Sequence, residues 1–162
     1  MEEIWDAYNR DFTRIEGTTL VRGQHIPDNL YHLVCDVIVR HVDGSYLIMR
    51  RDLNKTHGGK WELTAGGSAL SGEEPDEAAR RELQEETGIT GTPKEIGRTV
   101  QDKNHSIYVI YLCETDCEKE SIVLQQDETI DYRWISRQEL LHLTDETLIS
   151  HRAMKLLREL GI

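Results

Sequence analysis

No stretch of this 162-residue chain is apolar for long enough to cross a membrane as a helix. Its first residues, Met1-Glu2-Glu3-Ile4-Trp5, lack the basic segment and apolar core of a secretion signal, so the expected location is the cytoplasm. Cysteine is scarce. Cys35, Cys113 and Cys117 form an odd set, and no second Cys/His pair stands near the step from 113 to 117, which argues against zinc. Cys35 and Cys113 lie in apolar runs and read as buried thiols. Positive charge is also short: 19 Lys and Arg face 30 Asp and Glu, for a net charge of −11. That excludes nonspecific binding of a nucleic-acid polymer and repels phosphates at long range. An enzyme of this charge that handles phosphate esters needs cations as intermediaries. There is no internal repeat and no low-complexity segment.

What is present suits one domain spanning residues 1–162, with a hydrophobic fraction of 38% and a charged fraction of 30%. Residues 4–21 read as a small hairpin, so that 1–29 form an N-terminal hairpin extension and 30–162 the core. From Leu33 to Val39 an apolar strand runs into Asp43-Gly44, a strong hairpin turn, and returns through Tyr46-Leu47-Ile48-Met49. A polar loop from Arg51 to Lys60 leads through Trp61 to Gly66-Gly67 and a short Gly/Ser loop. Pro75 opens a helix that Gly88 closes.

Residues 95–100 and 106–113 are two further strands. In the second, Ile107, Val109 and Tyr111 face one way and Tyr108, Ile110 and Leu112 the other, so both faces are expected to be covered. Residues 121–124 and 130–135 are shorter strand candidates. Ser136 and Glu139 form a capping box, and Ile149, Ala153, Leu156, Leu157 and Leu160 mark an amphipathic terminal helix. The pattern predicts an α+β sandwich, in which helices cover a mixed sheet.

Chemistry concentrates on the helix opened by Pro75. Glu82, Glu85 and Glu86 stand at i, i+3 and i+4 and share one face. Such like charges cost a few tenths of a kcal/mol per pair in an isolated helix. A divalent cation turns the repulsion into ligation, and open carboxylate geometry suits Mg²⁺ or Mn²⁺. An acidic, solvated helix face is the plainer alternative.

The surrounding residues carry a specific resemblance. Gly67, five residues, Glu73, seven residues, then Arg81-Glu82-Leu83-Gln84-Glu85-Glu86-Thr87-Gly88-Ile89 resembles the full signature of the Nudix hydrolase family, with every fixed position filled. The resemblance implies an α/β/α sandwich with a mixed sheet and a loop–helix–loop motif. It also implies a divalent-metal-dependent hydrolase that cleaves a diphosphate linkage in a nucleoside diphosphate derivative or another small diphosphate ester. Glu82 and Glu86 become the principal metal ligands. Glu85 is a further ligand or orients water, and the Gly67 carbonyl completes coordination. Arg81 is better placed to hold Glu73 than to bind substrate. Glu128, six positions before Trp134, is a distal base or additional ligand.

Arg50, Arg51, Lys55 and Lys60 are candidates for the substrate phosphates, each equally well a solvated loop residue. Trp61 is either a stacking residue or core packing. Oligomeric state, a homodimer included, stays open.

Gly17-Thr18, His25 and Leu30-Tyr31-His32 look like the entry of isopentenyl-diphosphate isomerases and their hydrolase-like relatives. The isomerase motif is broken, however: Gly66 stands at its cysteine position and Ser68 at its histidine. Without that thiol, proton transfer at carbon lacks its main group. Two other readings remain beside hydrolysis, an isomerase with rearranged groups and a noncatalytic nucleotide sensor.

Overall fold

A computed structural model describes residues 1–162. Strand β1 (Ile4–Tyr8) and strand β2 (Arg14–Val21) form a two-stranded antiparallel hairpin. The main sheet contains β3 (His32–His41), β4 (Tyr46–Arg51), β5 (Trp61–Glu62), β6 (Thr64–Ser68), β7 (Lys94–Gln101), β8 (Ser106–Thr115) and β9 (Thr129–Ile135). Its path is β5-β4-β3-β8-β7, with β6 also on β3 and β9 also on β4. The β3–β8 pair is parallel and the others are antiparallel, so the sheet is mixed as expected.

Strand alternation makes the layers. Leu33, Cys35, Val37 and Val39 of β3, with Ile107, Val109 and Tyr111 of β8, face helix α1 (Pro75–Thr87) through Ala78, Ala79 and Leu83. Ile38 and Ile110 face the opposite way, onto Leu140 of α2 (Arg137–His142) and Ala153, Met154 and Leu157 of α3 (His151–Leu160). Two cores on opposite faces of one sheet give the α/β/α sandwich.

Two local expectations are corrected. Gly66, Gly67 and Ser68 are not loop but the end of β6, paired with Asp36, Cys35 and Val34. The approach is so close that a Cβ on Gly66 would lie 2.3 Å from the Cys35 carbonyl oxygen, so the strand needs glycine there. Residues 121–124 are not a strand. After a short 3-10 turn (Lys119–Ser121), the Val123 N–H donates to the Thr87 carbonyl at 2.9 Å, and Ile122 is buried against the α1 layer. The apolar pattern there serves the end of a helix instead of a sheet edge.

The hairpin is tied down through β1. Tyr8 and Tyr31 exchange backbone hydrogen bonds at 2.9 and 3.0 Å. Asp6 accepts from Ser71 Oγ at 2.7 Å and from the Gly72 N–H at 2.9 Å, which fixes the hairpin against the loop before α1.

Candidate active site

Helix α1 begins at the N-cap Glu74, whose N–H donates to the Glu77 side chain at 2.8 Å, and ends on Gly88 at φ 76°. Between these caps the helix turns Ala78, Ala79 and Leu83 to the core and Glu82 and Glu86 towards β6. Gly67 is pressed on Glu82: a Cβ there would lie 2.6 Å from Oε1 and 2.8 Å from the carboxyl carbon.

Arg81 organises the loop against the helix. Its Nε and Nη2 donate to the two Glu73 oxygens at 2.6 and 3.0 Å, Nη2 also to the Ser68 carbonyl at 3.2 Å, and Nη1 to Glu82 at 2.6 Å. Glu73 accepts further from the Leu70 N–H at 2.8 Å. Burial pulls the Glu73 carboxyl up, but Arg81 and this amide outweigh it and hold Glu73 below its ordinary value. Glu85 is the most exposed of the three glutamates, 3.3 Å from Arg81 Nη1.

Glu86 has a different environment. It accepts one bond, from the Gly66 N–H at 3.2 Å. Burial first, then the charges of Glu82 and Glu62, push its carboxyl well above the ordinary range. Burial likewise raises Glu82. Both are buried oxygen donors: Glu82 is paired with Arg81, and Glu86 accepts only from a backbone N–H. That donor chemistry fits a hard divalent cation. As arranged here, no three acidic, histidine or cysteine side chains surround one point, since Arg81 holds Glu82 and contacts Glu85.

The facing wall carries paired charges. Lys55 pairs with Glu128, and Arg51 donates from Nη1 to Glu62 at 2.5 Å. Burial and the nearby charge of Arg51 lower the Lys55 pKa, and Arg22 adds to that effect. Lys55, Glu128, Glu82, Glu85 and Glu86 all line one cleft of about 560 Å³, so the distal Glu128 does come to the acidic helix.

Other expected residues are elsewhere. Arg50 donates to the Gly59 carbonyl at 2.9 Å and Lys60 to the Asp145 carbonyl at 3.1 Å; neither lines the cleft, and Arg51 lines a smaller neighbouring cavity instead. Trp61 packs with the α2–α3 core, its ring under the Arg133 guanidinium at 4.8 Å, on the side away from the glutamates. His25 is exposed. His32 stacks on Trp5 at 4.3 Å, and its ring nitrogens lie 3.1 Å from Ser68 Oγ and 2.8 Å from Ser106 Oγ. Burial pushes its pKa down to about 4, so it is a neutral hydrogen-bonding residue at neutral pH.

Sequence reasoning missed Glu3, Trp5 and Arg22, which reach the cleft from the hairpin. It also missed Asp36 and Arg152, which line a smaller polar cavity behind Gly66. A lone acid inside the apolar run of β3 was the available signal for Asp36. Arg152, beside the apolar stripe of α3, gave none.

The NUDIX domain family model matches residues 30–157. The chain is a member of the Nudix family. A Nudix hydrolase of Listeria monocytogenes is 33% identical over 145 residues, covering 86% of this chain and 83% of that one. Nucleoside triphosphatase NudI of Escherichia coli is 33% identical over 122 residues, covering 68% of this chain and 84% of NudI. Among solved structures, a MutT protein from Methanosarcina mazei superposes with a TM-score of 0.65 at 28% identity over 82% of this chain and 96% of that one. A Deinococcus radiodurans protein reaches 0.77 at 19% identity and covers 97% of this chain and 98% of its own, so it shares the fold through the hairpin as well. The Nudix hydrolase is thus a pyrophosphohydrolase by family.

Proposed function

We propose that this Nudix hydrolase cleaves a diphosphate linkage in a small nucleotide-type substrate with a divalent cation, Mg²⁺ or Mn²⁺. One observation carries the reading: the Glu82–Glu85–Glu86 face and the cationic side chains of Lys55 and Arg22 line a single cleft. A diphosphate is the ligand whose charge answers both. A bound divalent cation supplies neutralisation of the phosphate oxygens, as in other phosphoryl substitutions.

The chain does the rest. Glu82 and Glu86 would hold the cation, and the bare Gly67 backbone admits the Glu82 carboxylate beside it. Arg81 keeps loop and helix in register through Glu73. Lys55 and Arg22 draw the phosphate chain against the opposite wall. Glu85 and Glu128 present carboxylates from the two sides, each able to take the proton of the attacking water. The relation to NudI favours nucleoside triphosphates among the candidate substrates.

The isomerase reading finds no group to carry it. Cys35 lies on the core face with its thiol donating to the Pro75 carbonyl at 3.2 Å, and burial raises its pKa far above neutrality. A panel of nucleoside triphosphates, nucleoside diphosphate derivatives and isopentenyl diphosphate, assayed with Mg²⁺ and Mn²⁺, tests the proposal. Release of phosphate or pyrophosphate from a nucleotide supports it. Conversion of isopentenyl to dimethylallyl diphosphate without phosphate release favours the isomerase, and binding without turnover favours the sensor.

A further inference from the structure

The polar cavity behind Gly66 holds more hydrogen-bonding capacity than the protein uses. It measures about 150 Å³ and shares Lys55, Gly66, Glu86 and Glu128 with the catalytic cleft, so a substrate held in one reaches the other. Asp36 projects from β3 onto its floor. No protein group donates a hydrogen bond to that carboxylate, and the nearest cationic nitrogen, Arg152 Nη2, is 3.9 Å away. Arg152 Nε and Thr129 Oγ1 are also buried without a partner, and Thr129 is only 7% exposed. Each unmade bond of this kind costs about 1–3 kcal/mol. Of these groups the Asp36 carboxylate is the one open to the cavity, its side chain 13% exposed, so a ligand that donates there completes it.

The lining says what kind of ligand. Only Ile149 and Ala153 are apolar, which excludes an alkyl or prenyl tail. The Arg152 guanidinium is held beside the cavity by the Tyr108 ring, 3.7 Å from its centroid, and by Gln101. An ionised carboxylate only accepts, whereas the Arg152 guanidinium only donates. A ring edge that alternates N–H donors with carbonyl or ring-nitrogen acceptors matches both.

We propose that this cavity is the base subsite and that Asp36 selects an amino-bearing nucleobase, with the Arg152 guanidinium meeting its acceptors. The inference rests on the diphosphate-cleaving reading of the adjoining cleft. At the position where cytosine carries its amino group, uracil carries a carbonyl oxygen, and that oxygen would face the Asp36 carboxylate.

CMP and UMP therefore make the sharpest probes, titrated into the full-length protein at pH 8 by calorimetry without added metal. Wild type is expected to bind CMP at least about tenfold more tightly than UMP, as one charged hydrogen bond can give. Asp36→Asn, isosteric and able to donate as well as accept, should bring the ratio close to one. Arg152→Gln should weaken both nucleotides. Equal affinities in the wild type, a ratio that Asp36→Asn leaves unchanged, or full affinity in Arg152→Gln would each overturn the subsite. Methyl triphosphate, which has no base, separates the two readings. Mg²⁺-dependent hydrolysis of it by a protein that binds neither CMP nor UMP removes this inference and leaves the cleft assignment standing. Turnover of neither methyl triphosphate nor any nucleotide removes the cleft assignment itself.

Discussion

Two residues show how closely the site is fitted. Gly67 has no side chain because the Glu82 carboxylate occupies its space, 2.6 Å from where a Cβ would stand. Gly67→Ala is expected to displace Glu82 while keeping the fold. Hydrolysis should fall about a hundredfold, the scale of losing one aligned electrostatic group, with little change in melting temperature. Retained turnover in that variant would show that Glu82 does not need its present position.

Asp36 makes a pH prediction. Burial, opposed by Arg152 and reinforced by Glu62 and Glu82, raises its pKa from 3.8 to about 6. The folded state therefore holds a proton that the unfolded chain has released between those values. The stability this proton contributes is complete below about pH 3.8 and is lost as pH rises through about 6. Asp36→Asn has no such loss, so it should be as stable as wild type in acid and more stable at neutral pH, by on the order of 1–3 kcal/mol. Melting curves across this pH range check it; a constant difference between the two proteins would contradict the buried charge. At this scale the sequence revealed the signature residues but not Asp36's partners. Signature spacing is local, whereas the approach of Arg152 to Asp36 depends on how α3 lies on the sheet.

The motif is one element made of three pieces, the end of β6, the loop of residues 69–74 and helix α1, joined through Arg81. A lysine cannot reproduce that junction, because its compact charge cannot bind both Glu73 oxygens and still reach Ser68 and Glu82. Arg81→Lys should cost about 1–3 kcal/mol of stability for the partly buried acceptors it abandons. It should also slow hydrolysis about ten- to a hundredfold, as other changes to groups that orient ligands do. Thermal unfolding together with steady-state kinetics checks both effects, and a variant slowed without any stability loss would show that Arg81 acts on substrate instead.

Helix α1 was legible because its start, stop and charged face are written within one short segment. Strand β6 was not, since Gly66 and Gly67 read as loop until their pairing with β3 is seen. Residues 121–124 misled for the opposite reason: Ile122 and Val123 look like a strand but cover the end of α1. Trp61 shows the same limit, as only the sheet determines that its ring faces α2 and α3 instead of the cleft.

Across the whole molecule the charge balance has a structural form. The chain carries −11 overall and the cleft shares that sign: Lys55, Arg22 and Arg81 stand among Glu3, Glu82, Glu85, Glu86 and Glu128. The hairpin of β1 and β2 contributes Arg22 and Trp5 to that cleft and is fixed to the loop before α1 through Asp6. The layered architecture was legible from alternation in β3 and β8, while the hairpin's place over the site was not, because its own alternation is weak. Chelator should abolish turnover yet leave the circular dichroism unchanged, since α1 is held by packing and caps rather than by an ion.

The measurement that tests this account most directly is cation-dependent nucleotide hydrolysis by the wild type beside Glu86→Gln. Turnover that requires Mg²⁺ or Mn²⁺, and that Glu86→Gln lowers at least about a hundredfold while the protein stays folded, is the predicted result. Hydrolysis that survives chelation, or near-normal activity in Glu86→Gln, would contradict it.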